Sequence, residues 1–166
     1  MPYDNETVPL RYIPKNLTRK EKKEQRRMLR KSRKLYKSKN KKYYTRKPLA
    51  SYKHKTSKHI LKAKKLYKLD RITPSKELAQ ATGCSLQALK QIVSKGEGAY
   101  FSSGSRPNQT AQSWGLARLA SAVTGGKAAA VDFKIIDQGC NHSKSAFRLA
   151  KKSKAKGIHR VPQVRL

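Results

Sequence analysis

The chain has 166 residues, of which 41 are lysine or arginine and 9 are acidic, so its formal net charge is +32. Such a charge opposes a compact monomer in isolation and is typical of a protein that meets a polyanion. The 28 lysines outnumber the 13 arginines, which favours neutralisation of phosphates over bidentate recognition of bases. Because no apolar run approaches the length of a membrane span and no signal-peptide pattern is present, the sequence predicts a soluble protein.

The distribution of charge predicts a mainly α protein in three parts. Residues 1–70 hold 25 basic and 5 acidic side chains, whereas residues 71–149 hold only 10 basic and 4 acidic ones. We therefore predict a basic N-terminal arm over residues 1–69, a small helical core domain over residues 70–149 and a basic C-terminal tail over residues 150–166. The arm combines an extended segment with basic helices, and the tail begins within a basic C-terminal helix.

The N-terminal 17 residues contain three prolines, which predict an extended segment. The pattern Thr18-x-x-Glu21 is a capping box, and it predicts a helix that runs to about Tyr36. The helix has too few apolar residues to bury a full face, so it is either solvated or lies on phosphates. In the second case its phosphate-binding residues are Arg19, Lys23, Arg26, Arg27, Arg30 and Lys34.

Residues 37–56 interleave basic side chains with tyrosines. The tyrosines can stack on bases or anchor to protein, and the cations can neutralise phosphates. The predicted phosphate-binding residues here are Lys41, Lys42, Arg46 and Lys47. A second basic helix is predicted over residues 57–69, with a weak apolar stripe that docks on the core.

Two short helices with a glycine between them are predicted after Thr73-Pro74, which has the pattern of a helix start. Gly83 allows the turn, Ser85 caps the second helix and Gly96 ends it. The arrangement resembles a helix-turn-helix, and the alternative is a plain helical hairpin in a small core. In a helix-turn-helix, the outward residues that reach phosphates or base edges are Gln87, Lys90 and Gln91.

A glycine-rich polar loop is predicted over residues 96–115, just before a helix over residues 111–123. If Gly96, Gly98 and Gly104 adopt positive φ, successive N–H groups can form a nest for a phosphate or a partner's carboxylate. We predict that the loop is ordered and that an anion or helix-end carbonyls fix Arg106. A loop packed by its own hydrogen bonds is favoured over such a nest, and a catalytic loop is the least favoured alternative. Its polar donors are Ser102, Ser103, Ser105, Arg106, Asn108 and Gln109.

Helices are also predicted over residues 127–139 and over residues 143–156, the second capped by Gly157. The two cysteines, Cys84 and Cys140, do not make a disulfide framework and are compatible with a reducing compartment. Cys140-x-His142 is too little for a zinc site. The sequence therefore predicts no metal, no cofactor and no small-molecule substrate.

The motif Gly104-Ser105-Arg106-Pro107-Asn108-Gln109-Thr110, followed by Ser113-Trp114, is long and specific. Residues 70–140 resemble an uncharacterised family of small basic proteins that large DNA viruses of algae and protists and some tailed phages encode. The basic N-terminal region is also typical of the viral members. The family has no established activity, so the resemblance supplies no catalytic residues. It implies a viral origin, which favours a packaging or virion role.

These observations predict a non-enzymatic, virion-associated structural protein that binds nucleic acid, with DNA favoured, or anionic surfaces through basic arms. One alternative is a minor capsid protein whose arm threads between capsomers without touching the genome, so that its partners are viral capsid proteins. Another is a nucleic-acid-processing enzyme that uses the Ser/Gly-rich loop. The expected location is the virion, and the host nucleus or cytoplasm during assembly.

Overall fold

The computed structural model describes residues 5–166, and in this part of the chain helices dominate, as the sequence predicts. The extended prediction for residues 1–4 lies outside the described residues. The helices are α1 (Arg19–Lys37), α2 (Lys58–Tyr67), α3 (Lys76–Thr82), α4 (Leu86–Ser102), α5 (Ala111–Val123), α6 (Lys127–Val131), α7 (Phe133–Gly139) and α8 (Ser145–Lys156). Two short strands, β1 (Thr7–Pro9) and β2 (Gln163–Arg165), pair antiparallel, with Val8 opposite Val164.

The described chain divides into two compact units whose limits differ from the predicted domain boundaries. Unit 1 contains the described residues up to Lys55, together with Glu97–Trp114 and Arg160–Leu166. Unit 2 contains Thr56–Gly96 and Gly115–His159. The residues predicted as a basic arm thus supply most of a folded unit, and the end of the predicted C-terminal tail contributes a strand to it.

Helix α1 begins as the capping box predicts. The Thr18 hydroxyl accepts a hydrogen bond from the N–H of Glu21, and the Glu21 carboxylate accepts one from the N–H of Thr18. The expectation that this helix cannot bury a full face is wrong, since Gln25, Met28, Leu29 and Ser32 are all buried. The two polar members of this face are hydrogen-bonded, which removes the cost of burying them.

Gln25 Nε2 donates to the carbonyl of Tyr12 at 3.0 Å, and Ser32 Oγ donates to the carbonyl of Phe101 at 3.1 Å. Tyr12 is in turn packed with Val8, Leu29 and the partly buried Trp114 in one of the two apolar clusters of unit 1. Buried polar residues therefore complete the inward stripe of α1, which leaves the opposite face to solvent.

Unit 2 has a core of small and aliphatic side chains supplied by every helix from α2 to α8. An ion pair with a buried carboxylate lies at its edge: the partly exposed Arg118 donates two hydrogen bonds of 2.7 Å to Asp132, which is 1% exposed. The Lys95 ammonium lies 3.8 Å from the same carboxylate. Such a pair tolerates burial because its charges and hydrogen bonds are matched.

Helices α3 and α4 form the predicted hairpin, and Gly83 adopts φ +77° at the turn. The first helix starts later than predicted, because the Ser75 hydroxyl accepts from the N–H of Leu78 and acts as the cap in place of Thr73. The interpretation of the cysteines is also incomplete: Cys84, at the turn, forms a disulfide with Cys140, at the end of α7.

Gly96 does not end α4 as predicted; the helix continues through it to Ser102. A Cβ atom at Gly96 would lie 2.6 Å from the Cα of Gly115 in α5, so these glycines allow the two helix backbones to approach closely. The remaining predicted helices are found, the segment 127–139 as two short helices that meet at Asp132. Gly157 caps α8 at a positive φ of 79°.

Candidate nucleic-acid interface

The outward face of α1 carries a row of cations. Their spacing of three or four residues places them along one side of the helix, over about 21 Å at about 1.5 Å per residue. The exposed members are Lys20, Lys23, Arg27, Lys31 and Lys34. Because the opposite face of α1 is anchored in unit 1, this row is held on a folded surface.

Most of the phosphate-binding residues predicted in the first 47 residues are exposed in the structure. Arg27 is one of them, although it donates hydrogen bonds to the neighbouring Glu24, whose pKa is lowered by this interaction. The Lys41 ammonium lies 4.5 Å from the centre of the Tyr36 ring, a cation–π contact that leaves it at the surface. The exposed set is Arg19, Lys23, Arg27, Lys34, Lys41, Lys42 and Lys47.

Two arginines of the predicted phosphate-binding set form hydrogen bonds with the C-terminal segment of the chain. Arg26 Nε donates to the carbonyl of Arg165 at 3.2 Å, and Arg30 donates to the main-chain oxygen of Leu166. Both side chains are partly buried. They attach the segment that contains β2 to α1, so their guanidinium groups are less available to phosphates than those of the exposed row.

Arg46 was predicted to bind phosphate, and the structure contradicts this because the residue is 6% exposed. Its guanidinium donates to Ser32 Oγ at 2.9 Å, to the Tyr100 carbonyl at 2.8 Å and to Ser105 Oγ at 2.8 Å. It also lies 3.8 Å from the centre of the Tyr100 ring. Burial lowers the pKa of Arg46.

The position of Tyr100 explains how a cation is accommodated here without a carboxylate. Tyr100 lies in the last turn of α4, where carbonyl groups lack helical partners and carry partial negative charge. Arg46 binds the Tyr100 carbonyl and Ser32 binds the Phe101 carbonyl, so two residues of the N-terminal region cap the end of α4. Arg46 therefore links α1 to the end of α4 in the interior of unit 1.

The motif loop is short, and its glycines do not form an anion nest. Gly98, like Gly96, is helical, and only Gly104 of the three predicted glycines has a positive φ, at 133°. A Cβ atom at Gly104 would lie 2.8 Å from Leu29 and 3.0 Å from Tyr12, so this glycine packs against protein. The loop residues Ser102 and Ser103 lie at the end of α4 and just after it.

The polar side chains of the motif bind mainly to the protein itself. Ser105 is completely buried and, besides accepting from Arg46, donates to the carbonyl of Arg106 at 2.8 Å. Asn108, at φ 60°, accepts from the N–H of Leu49 at 2.6 Å and donates to the carbonyls of Leu49 and Tyr52. The motif thus fixes the course of residues 46–52 through hydrogen bonds to that segment, and not only through bonds within the loop.

The end of the motif begins α5. The Thr110 hydroxyl accepts from the N–H of Ser113, whose own hydroxyl accepts from the N–H of Thr110, as a helix cap requires. Gln109 accepts from the Ser113 hydroxyl at 2.7 Å and lies 3.4 Å from His54. Gln109 and Asn108 therefore form hydrogen bonds within the protein, and these bonds occupy groups that an anion site would need.

Arg106 differs from Ser105, Asn108 and Gln109 because it is exposed. Within residues 5–166 its guanidinium has no hydrogen bond or ion pair, so the predicted contact with helix-end carbonyls is absent there. It lines a cleft of unit 1 with a volume of about 800 Å³.

This cleft has cationic and apolar components. Its apolar lining includes Pro9, Leu10, Pro14, Tyr52 and Pro162. The cations that line it are Arg11, Lys15, Lys53, Lys55 and Arg106, and no lining residue is acidic. Four of these cations lay outside the predicted site set. The alternation of basic residues with tyrosine in the segment 37–56 was the only sequence signal for two of them, Lys53 and Lys55.

In unit 2, the predicted outward residues of the hairpin are exposed on α4. Gln87, Lys90 and Gln91 all lie at the surface, while Leu89 and Ile92 on the opposite side of the helix are fully buried. The face is polar and carries a single charge, so it can donate and accept hydrogen bonds without strong electrostatic attraction. These three residues belong to unit 2, and the basic row and the cleft belong to unit 1.

Residues 5–166 contain no cluster of three or more histidine, cysteine, aspartate or glutamate side chains suited to hold a metal ion. Over the same residues, every helix is too short or too polar to cross a membrane.

The described residues define a strongly basic, mainly helical protein in which Arg106 of the polar motif lines a cationic cleft. The chain belongs to a family of unknown function (DUF5824), whose model matches residues 9–141. The match includes α1, the motif and the cations of the cleft. No curated protein and no solved structure matches the chain.

Proposed function

We propose that the protein is a non-enzymatic, virion-associated structural protein that binds nucleic acid through phosphate contacts. The observation that carries the proposal is the row of exposed cations on α1, held on a folded surface by the buried opposite face. Phosphate contacts of this kind release counterions and give affinity without sequence recognition. The resemblance of the motif to viral proteins supports the virion as location, reached from the host nucleus or cytoplasm during assembly.

The alternative of an arm threaded between capsomers requires the N-terminal segment to leave its own chain. In the structure, Thr7–Pro9 pairs with Gln163–Arg165, and Val8 and Ile13 are buried in unit 1. The described part of the N-terminal segment therefore favours a surface role in nucleic-acid binding over threading. No geometry of the described residues favours the enzymatic alternative.

Salt dependence of binding tests the proposal. We expect the logarithm of the association constant for a DNA duplex of mixed sequence to fall linearly with the logarithm of salt concentration. This constant should change little between sequences. The variant Lys20→Gln/Lys23→Gln/Lys34→Gln should reduce the slope by about 3, since each lost phosphate contact contributes about 0.9.

The matched control is Lys58→Gln/Lys62→Gln/Lys65→Gln, which removes the same charge from exposed positions of α2 in unit 2. It should reduce the slope by clearly less than the α1 variant. A slope near zero for the unmodified protein would refute nucleic-acid binding by phosphate contacts. Equal effects of the two variants would refute the assignment to α1.

A further inference from the structure

We infer that the cleft of unit 1 binds one or two nucleotides of an unpaired nucleic-acid strand, an inference that rests on the proposed function. The row on α1 and the cleft are both cationic, but they differ in shape and in chemistry. The row offers only charge on a convex surface, whereas the cleft combines charge with apolar walls. This combination is the one that binds single strands, because their bases are free to stack while their phosphates meet cations.

The size of the cleft selects against a duplex. Its volume of about 800 Å³ is in the range of pockets that enclose a small molecule. A duplex hides the faces of its bases in the stack and presents phosphates and groove edges on a stiff surface, so it cannot place a base inside such a cleft. An unpaired nucleotide can enter, with its base against the apolar wall and its phosphate at the cationic rim.

The cations of the cleft are available to a ligand. Lys15, Lys53, Lys55 and Arg106 are exposed, and no lining residue is an acid that could neutralise them. The Arg11 Nε atom is buried and has no hydrogen-bond partner among the described residues. This nitrogen is enclosed by the protein, so the four exposed cations, and not this atom, attract a phosphate.

The apolar wall favours a base over the main chain of an acidic peptide. Three of its residues, Pro9, Pro14 and Pro162, have no N–H group and cannot donate the main-chain hydrogen bonds that hold an extended peptide. Stacking on flat side chains requires no such donor, and Tyr52 offers an aromatic ring in the same wall. An acidic peptide therefore becomes the competing outcome of the test.

Fluorescence anisotropy with a labelled oligothymidylate and with a labelled hairpin duplex tests the inference on the full chain. The cleft variant is Lys15→Gln/Lys53→Gln/Arg106→Gln, and the matched variant is Lys20→Gln/Lys23→Gln/Lys34→Gln, which removes the same charge from α1. We expect the cleft variant to lose about tenfold or more in affinity for the single strand, and clearly less for the duplex. The α1 variant should weaken both ligands by similar factors.

The outcomes separate the two proposals. If the unmodified protein binds neither ligand, the proposed function fails and the inference fails with it. If it binds both, but the cleft variant weakens both to the same extent as the α1 variant, the proposed function stands and the inference is overturned. If hexaglutamate displaces the single strand at the same concentration as unlabelled hexathymidylate, the cleft prefers acidic chains in general and the inference is likewise overturned. Unchanged Trp114 emission in each variant confirms that unit 1 remains folded.

Discussion

Replacing Arg46 with methionine should destabilise unit 1 without impairing an exposed binding surface. Arg46 donates three hydrogen bonds of 2.8–2.9 Å within the protein and is 6% exposed. Methionine has a similar unbranched stem and fills irregular space, so the substitution removes the charge and the hydrogen bonds with little change in volume. The Tyr100 carbonyl at the end of α4 then loses its cap.

The magnitude follows from two opposing contributions. Hydrogen bonds to a charged group contribute roughly 1.5–3 kcal/mol each, so three contribute roughly 4–9 kcal/mol. The guanidinium also carries a desolvation cost of several kcal/mol, which methionine avoids. The lowering of the Arg46 pKa by burial has the same cause. The difference leaves a loss of about 2–4 kcal/mol in the free energy of unfolding.

Urea unfolding followed by tryptophan emission measures this loss, because Arg46 and the tryptophan both belong to unit 1. Trp114 is the one tryptophan of the sequence, and its ring lies 5.9 Å from that of Tyr12 within unit 1. The control Lys47→Met removes the same charge from the exposed neighbouring residue and should change stability by less than about 0.5 kcal/mol. If Arg46→Met unfolds like this control and instead binds DNA more weakly, Arg46 contacts phosphate and the structural role is wrong.

Three further predictions concern the fold. The disulfide Cys84–Cys140 joins residues 56 positions apart, so its reduction should lower the free energy of unfolding by roughly 4 kcal/mol on the chain-entropy model. The measurement is a lower melting temperature, which the variant Cys84→Ser/Cys140→Ser should reproduce. The substitution Asp132→Ala should lower the free energy of unfolding in urea by about 3–5 kcal/mol. An unchanged urea midpoint would show that the ion pair of Asp132 with Arg118 does not contribute to stability. Hydrogen bonds from Ser51 lower the pKa of Glu21 from 4.5 to about 2, so its stabilising contribution is complete above pH 4.5 and lost as pH falls through 2. The stability difference from Glu21→Gln should therefore shrink over that interval, and a constant difference would contradict the assignment.

Local signals in the sequence predicted the helices well, because caps and periodicity act over a few residues. The capping box at Thr18, the glycine turn at Gly83 and the glycine cap at Gly157 are all confirmed. The burial of α1 could not be predicted in the same way. Its inward stripe includes Gln25 and Ser32, whose hydrogen-bond partners are distant in sequence, so a hydropathy pattern assigns them to solvent.

The candidate site was predicted less completely than the fold. The exposed cations of α1 follow from composition alone, but a buried arginine and an exposed one look the same in a sequence, which explains the error at Arg46. The helix-breaking interpretation of Gly96 was wrong because glycine there provides close contact with Gly115, a need that only the tertiary packing reveals. The cleft joins segments near residues 11, 53, 106 and 162, and no local pattern connects them.

The pairing of β1 with β2 has a consequence for the order of folding. Val8 and Val164 are partners, so this contact closes almost the whole length of the described chain. Long-range contacts of this kind form slowly because their loop-closure entropy is lost before any stabilisation is gained. Unit 2 draws on two segments with shorter separations. We therefore expect unit 2 to form early and the strand pair to close last, so that hydrogen exchange during refolding protects α3 and α7 before the amides of β1.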